Sequence, residues 1–430
     1  MEIKFKRRIV FAGGTKRTRR LVLVTLFGCF TLSGAAQAQS VIAPPPSSVS
    51  VMPPAIAALG PGEMQVFPPD SAAANVLDEL HALQWGPVTL RPHASYQFTY
   101  GSGIRYSTNQ PAANSTVQTF SPGVLFVLGA HWTLDYTPSF TFYSDKNFNN
   151  TVGQSVTLTG GTVYEDWILG LSQGFTYSSS PQVQTGTQTD EQTYTTSLSA
   201  SHALNSKVSV DLGVNQSLSF PTDYQSTKEW STMDWVNYEF WPRLVAGVGA
   251  GAGYTAATPN SLNEQLQGRV NWRATDKISF AVSGGAELMQ FTDGGEAPLV
   301  NPIFSGSIQY QPFEHTQVSL AASRTVSSSS YYQNQVTENT SLNGGVSQRL
   351  FQRYNLSVSG GYNWTTYVGA AAATAVNSPV DNYSISVNLG TTLFKRGSVS
   401  VFYTYSQTIT DQIGLAYVSN QVGFNLGYSF

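Results

Sequence analysis

Few residues in this chain have the types and spacing that chemistry requires. Asp135, Asp211, Arg269 and Glu287 stand out as charges on the polar side of stretches that alternate apolar and small polar residues. Arg91, Arg273 and Arg349 share that side. Such charges have two readings: a ring of fixed charge that filters ions, or internal ion pairing in a wet wall. Asp211 and Arg269 read as mid-segment, whereas Arg273 and Arg349 stand beside short links. A second feature is VGAGAGY, which puts Gly247, Gly249, Gly251 and Gly253 on one parity. No helix start and no Lys-Ser/Thr follows it, so a phosphate-binding loop is excluded. Glycine inside a strand instead permits strong bending or the close approach of another segment, either a loop folded inward or a short helix near the N-terminus.

Of the five histidines, His81, His93, His131, His202 and His315, none has metal-ligand spacing. Only His93 falls on the polar parity near a rim. No Gly-x-Ser-x-Gly occurs, and no Ser/His/Asp constellation can be placed. The residues therefore offer no catalytic group, metal or cofactor site, and an enzyme is not the expected reading.

The surroundings of these residues are unusual. Charged residues make up 11% of the 430, hydrophobic residues 41% and aromatics 12%. A soluble protein carries about 25% charged residues. Here Ser, Thr, Asn, Gln and Gly take their place, as expected of a wall with lipid on one face and water on the other. No run of 18 apolar residues follows the first forty positions, which excludes a bundle of membrane helices. The net charge of -3 gives no reason to expect nucleic acid.

Residues 1–38 read as a signal peptide. Lys4, Lys6, Arg7, Arg8, Lys16, Arg17, Arg19 and Arg20 precede the apolar LVLVTLFGCFTLSG, and Ala36-Gln37-Ala38 has the small-x-small form of a cleavage site. Cys29, the single cysteine, falls inside that segment, which leaves no disulfide in the mature chain. Residues 39–87 form a Pro-rich linker carrying a short amphipathic helix over 71–84, with Ala74, Leu77 and Leu80 near one face. The helix reads as a periplasmic spacer or as a plug or partner-binding arm.

From Val88 the period becomes two, which sends successive side chains to opposite faces of a sheet. About eighteen segments alternate in this way. The parity of 230–240 is spoiled by Asp234, Trp235 and Glu239, and a bulge or shift is expected there. Short links such as 129–131, 165–166, 204–207 and 350–353 alternate with long polar ones. Trp132, Trp167, Trp241, Trp272, Phe313, Phe351, Tyr354 and Phe394 crowd the short links, as aromatics do at the border of hydrocarbon and water. A soluble β-sandwich or repetitive adhesin would also alternate, yet has no reason to alternate short and long connections.

At the C-terminus Val422, Phe424, Leu426, Tyr428 and Phe430 share one parity, and the final residue is aromatic. Residues 88–430 here resemble the bacterial outer-membrane β-barrel proteins, closest to loosely defined porin-like groups. Asn425 stands where that terminal signal often has glycine, with Gly423 and Gly427 beside it. The resemblance implies an all-β transmembrane antiparallel up-and-down barrel, a terminal strand with Tyr428 and Phe430 read by the barrel-assembly machinery, and location in the outer membrane. Phe430 is expected on the lipid-facing parity near Tyr96 and Phe98 of the first strand. The expected function is passive diffusion of small polar solutes, with outer-membrane lipid as surroundings and a homo-oligomer possible. The alternative is an occluded structural or binding barrel for surface attachment or polysaccharide export.

Overall fold

A chain of period-two strands leaves backbone N–H and C=O groups unpaired at its two edges unless the first strand meets the last. The computed structural model describes residues 83–104, 113–181, 188–293, 297–328, 335–368, 379–394, 396–410 and 416–429, and across them the sheet closes. After a two-residue β1 (Gln84–Trp85) come β2 (Val88–Ile104), β3 (Ala113–Leu128), β4 (Trp132–Tyr143), β5 (Thr151–Tyr164), β6 (Trp167–Pro181), β7 (Gln188–Ala203), β8 (Val208–Pro221), β9 (Thr227–Trp241) and β10 (Leu244–Ala256). There follow β11 (Ser261–Thr275), β12 (Ile278–Phe291), β13 (Leu299–Phe313), β14 (Thr316–Ser328), β15 (Val336–Leu350), β16 (Tyr354–Val368), β17 (Val380–Leu393), β18 (Gly397–Ile409) and β19 (Tyr417–Ser429). Each long strand pairs antiparallel with its neighbours in sequence, and β19 pairs with β2. Leaving β1 aside, the result is a closed antiparallel barrel of eighteen strands.

The seam sets Phe424 opposite Phe98 and Leu426 opposite Tyr96. The Phe424 and Phe98 rings stack at 5.5 Å. Closure near Tyr96 and Phe98 is thus made by Phe424 and Leu426, while Tyr428 faces Ala94. Phe430 itself lies outside the described residues, as do the signal peptide and all but the last two residues of the expected 71–84 helix. Gln84 corrects that helix boundary. With Trp85 it forms β1 and pairs back on Thr89 and Val88 through a turn in which Gly86 has φ 58°, a left-handed conformation natural to glycine.

The barrel is apolar on the outside. Val214, Val236, Val248, Leu266, Val282, Ile385 and Val401 are each more than 40% exposed, and all carry the outward parity. In water this surface would be an aggregation hazard; against hydrocarbon it is the stable face. Aromatics beside the short turns extend the same face: Trp241, Phe313, Phe351 and Phe394 are exposed, and Trp272 stacks on Phe280 at 5.5 Å. The turns are tight enough to hold Glu165, Phe351, Gln352 and Phe394 at positive φ.

The expected bulge in 230–240 occurs at Phe240, which the β9–β10 register skips between Trp241 and Glu239, while at Asp234 the β8–β9 ladder lapses without a change of register. β9 keeps strict alternation through that point, with Trp235 inward and Asp234 outward, opposite to the usual assignment. The register shift in this hairpin is at Leu244/Val245, next to the short turn.

Candidate functional site

The inner wall is the surface a solute would meet. Around much of it, hydroxyls and amides bond to one another from strand to strand. Ser283 and Ser305 are 2.8 Å apart, as are Ser323 and Ser341. Ser386 lies 3.2 Å from Thr404, and the Thr365 hydroxyl donates to Asn339 Oδ1 at 3.3 Å. The register aligns Ser283, Ser305, Ser323 and Ser341 on four successive strands. Such a row satisfies itself and still offers lone pairs and hydroxyl protons to a passing molecule.

All four charges expected in the lumen do point inward. Asp135 and Asp211 are each the fourth residue after a short turn, and Glu287 is the fifth from the long-loop end of β12. Asp211 is therefore nearer the short turns than mid-strand, contrary to expectation. Two of the four form one network. Arg269 of β11 pairs with Asp211 of β8 across two intervening strands. On the way its Nε donates to Asn237 Oδ1 at 2.9 Å, and Asn237 Nδ2 donates to Asp211 Oδ2 at 2.8 Å. Ser201 closes the set, its hydroxyl donating to Asp211 Oδ1 at 2.7 Å. The guanidinium also lies over the Trp235 ring, 4.4 Å from its centre, a stacked arrangement that Arg favours.

The glycine stripe explains how that reach is possible. Gly247, Gly249, Gly251 and Gly253 all face inward on β10, opposite Arg269, Gln267, Gln265 and Asn263 of β11. A methyl group on Gly249 would stand 2.7 Å from the Trp235 ring, and one on Gly251 would stand 2.9 Å from Met233 Cβ. Trp235 and Met233 are each 1% exposed. Trp235 and Met233, inward side chains of β9, thus lie over the glycines of β10, while the helix expected as an occupant falls outside the described residues except for residues 83 and 84.

Asp135 bonds elsewhere. His93 Nε2 is 3.2 Å from its Oδ1, and Thr137 donates to the same oxygen at 2.8 Å. Glu287 is buried and accepts from Gln265 Nε2 at 3.3 Å. The four charges therefore form three local clusters instead of one ring. Arg349 donates to the Gln352 carbonyl at 3.0 Å and belongs to a short turn. Among the described residues no group of three or more His, Cys, Asp or Glu stands where it could share a metal.

One element was not foreseen. The β13–β14 ladder ends at Phe304 opposite Arg324, leaving residues 299–303 without a β14 partner. Beyond that point Val326 and Val336 carry the outward parity of β14 and β15, yet they are buried together with Met289 and Ile303, which face inward. Both conditions hold only if the far ends of the two hairpins overlap, with that of β14–β15 on the lumen side of β12 and β13. Gln335 and Thr337 are buried as well. Where the β13–β14 ladder ends, Arg324 donates to Glu338 at 2.6 Å. The apolar pair Val326 and Val336, on an otherwise polar stretch, was the available signal.

No family model matches the chain, and no curated protein matches it. Among solved structures it is similar to Pseudomonas aeruginosa OpdO, with 12% identity, 81% of this chain and 99% of that one covered, and a TM-score of 0.45. It is similar also to Acinetobacter baumannii OccAB3, with 11% identity, coverage of 79% and 99%, and a TM-score of 0.44. The Pseudomonas aeruginosa siderophore receptor PirA matches at 10% identity, with coverage of 79% and 80% and a TM-score of 0.41. The barrel assignment rests on closure of β19 upon β2 and not on these likenesses.

Proposed function

We propose that this chain is an outer-membrane channel through which small, uncharged polar solutes diffuse. The observation that carries the reading is a closed eighteen-strand barrel with an apolar exterior and an inner wall of mutually bonded Ser, Thr and Asn. Barrels of this strand number enclose a lumen wider than their own side chains fill. Among its fixed charges Arg269 and Asp211 neutralise each other, and Asp135 and Glu287 are held by hydrogen bonds from neighbouring side chains, an arrangement that suits neutral solutes. On this reading residues 1–38 are removed on export, and the terminal strand with Tyr428 and Phe430 is read by the barrel-assembly machinery. The test is swelling of liposomes that hold the purified protein. Neutral mono- and disaccharides should enter faster than charged solutes of equal size; absence of entry by any of them contradicts the proposal.

The buried β14–β15 hairpin supports a second reading, an occluded barrel serving surface attachment or polysaccharide export. Swelling that appears only after the hairpin is unseated would favour it.

A further inference from the structure

The long-loop ends of β4–β8 enclose a cleft of about 720 Å³. Asn147, Asn149, Tyr177, Gln188, Asp190 and Asp223 line it, and no lysine or arginine does so among the described residues. Tyr177, Gln188 and Asp190 carry the outward parity of β6 and β7, which opens the cleft on the outer side of the wall. Counted from the short turns, Tyr177 is the eleventh residue of β6 and Asp190 the fourteenth of β7. About nine to eleven residues of a tilted strand cross the hydrocarbon, so the cleft stands at its edge and beyond. Its walls are fixed from within the chain. Both amide atoms of Gln188 bond to the Asn149 backbone, each at 3.0 Å. Phe148, 5% exposed, anchors the loop between β4 and β5 by packing on Val117 and Tyr143. Tyr177 donates to Asp190 at 3.1 Å, and Thr189 donates to Asp223 at 2.9 Å.

We propose that this cleft binds a neutral saccharide, free or carried by a membrane glycolipid. Two carboxylates with no lysine or arginine in the lining repel phosphates and acidic sugars. A shared metal ion is disfavoured too, since no group of three or more His, Cys, Asp or Glu gathers among the described residues. Carboxylates accept hydroxyl protons, while the amides of Asn both donate and accept, so a ligand with adjacent hydroxyl groups finds partners for each. The Tyr177 ring adds an apolar body with a polar tip, which suits the C–H face of a sugar. The volume falls within the range of small-molecule clefts, about 300–1,000 Å³. Because Gln188, Asp190 and Asp223 are already held, little ordering remains to oppose binding. The inference rests on the membrane reading given above and is independent of solute passage.

The test uses the purified full-length chain in lipid nanodiscs. In one arm it is applied to an array of neutral and acidic oligosaccharides; in the other, native mass spectrometry compares retention of digalactosyldiacylglycerol with that of phosphatidylcholine. Neutral sugars should bind roughly ten-fold better than acidic ones, or the galactolipid should be retained preferentially; the first result assigns the sugar to the medium and the second to the lipid. Asp190→Ala with Asp223→Ala, and separately Ser179→Trp, which fills the cleft, should each lower that signal roughly ten-fold and leave liposome swelling unchanged. No neutral sugar bound in either arm, acidic sugars bound equally, or binding unchanged in whichever variant keeps heat-modifiable migration would overturn the inference. Failure of the membrane reading looks different: the natural chain neither enters nanodiscs nor migrates differently before and after boiling. That result overturns both.

Discussion

Two parts of the barrel solve the same problem in different ways. On the β12–β18 side the inner wall carries separate pairs of neutral hydroxyls and amides, Ser283 with Ser305, Ser323 with Ser341, Thr365 with Asn339 and Ser386 with Thr404, bonded at 2.8–3.3 Å. On the β7–β11 side it is one ion pair stretched over a strand of glycines and backed by a buried Trp and Met. The first arrangement is local, so any member can be lost at small cost. The second is a chain of dependencies: Arg269 reaches Asp211 over a stretch of β10 that presents only glycines inward from 247 to 253, and Asn237 is held from both sides. The same period-two pattern thus yields one redundant wall and one cooperative wall.

The contrast breaks most sharply at Gly249. Gly249→Leu forces a branched side chain into the Trp235 ring, and overpacking of this kind costs about 1–3 kcal/mol or more. The variant should lose heat-modifiable migration or unfold at clearly lower denaturant. Unchanged unfolding would show that Trp235 can move aside. Next in size is Arg269→Met, which leaves Asp211 on the inner wall without its guanidinium. Breaking one side of a buried pair costs about 3–5 kcal/mol, and partial exposure of this pair, at 18% and 27%, lowers the expected loss toward about 2. Adding Asp211→Leu should recover part of that loss in a double-mutant cycle; strict additivity would deny the coupling.

In the redundant wall, Ser341→Ala should cost only about 0.5–1.5 kcal/mol and leave solute permeation unchanged, as equilibrium unfolding and liposome swelling would report. A drop comparable to that of Arg269→Met would erase the distinction between the walls. The smallest effect is expected at a short turn, where Gln352 has φ 59°. Gln352→Gly should raise stability by under about 1 kcal/mol, since glycine adopts that conformation without a clash. Destabilisation there would show that the Gln352 side chain does more than tolerate the turn.

Most of the barrel was legible in the sequence because strand period, turn length and aromatic placement are local signals. The short links and the inward parity of Asp135, Asp211, Arg269, Glu287 and the glycines follow from counting by two. Contacts between strands are another matter. That Arg269 meets Asp211, fifty-eight positions away, depends on the stagger of four strands, which no local pattern encodes. Asp234 and Trp235 misled for a related reason. Their types suggested a broken parity, but here a polar residue faces out and a large aromatic faces in because of what lies beside them. The overlap of the β12–β13 and β14–β15 ends was hidden because it leaves their alternation intact.

The central claim is a polar lumen narrowed from within by the β14–β15 hairpin. Single-channel conductance in planar bilayers tests it most directly, comparing the natural chain with a Val326→Asp, Val336→Asp variant that sets charges against Met289 and Ile303. The account predicts discrete steps for the natural chain and steps at least two-fold larger for the variant. Steps of equal size, or no steps from either protein, would contradict it.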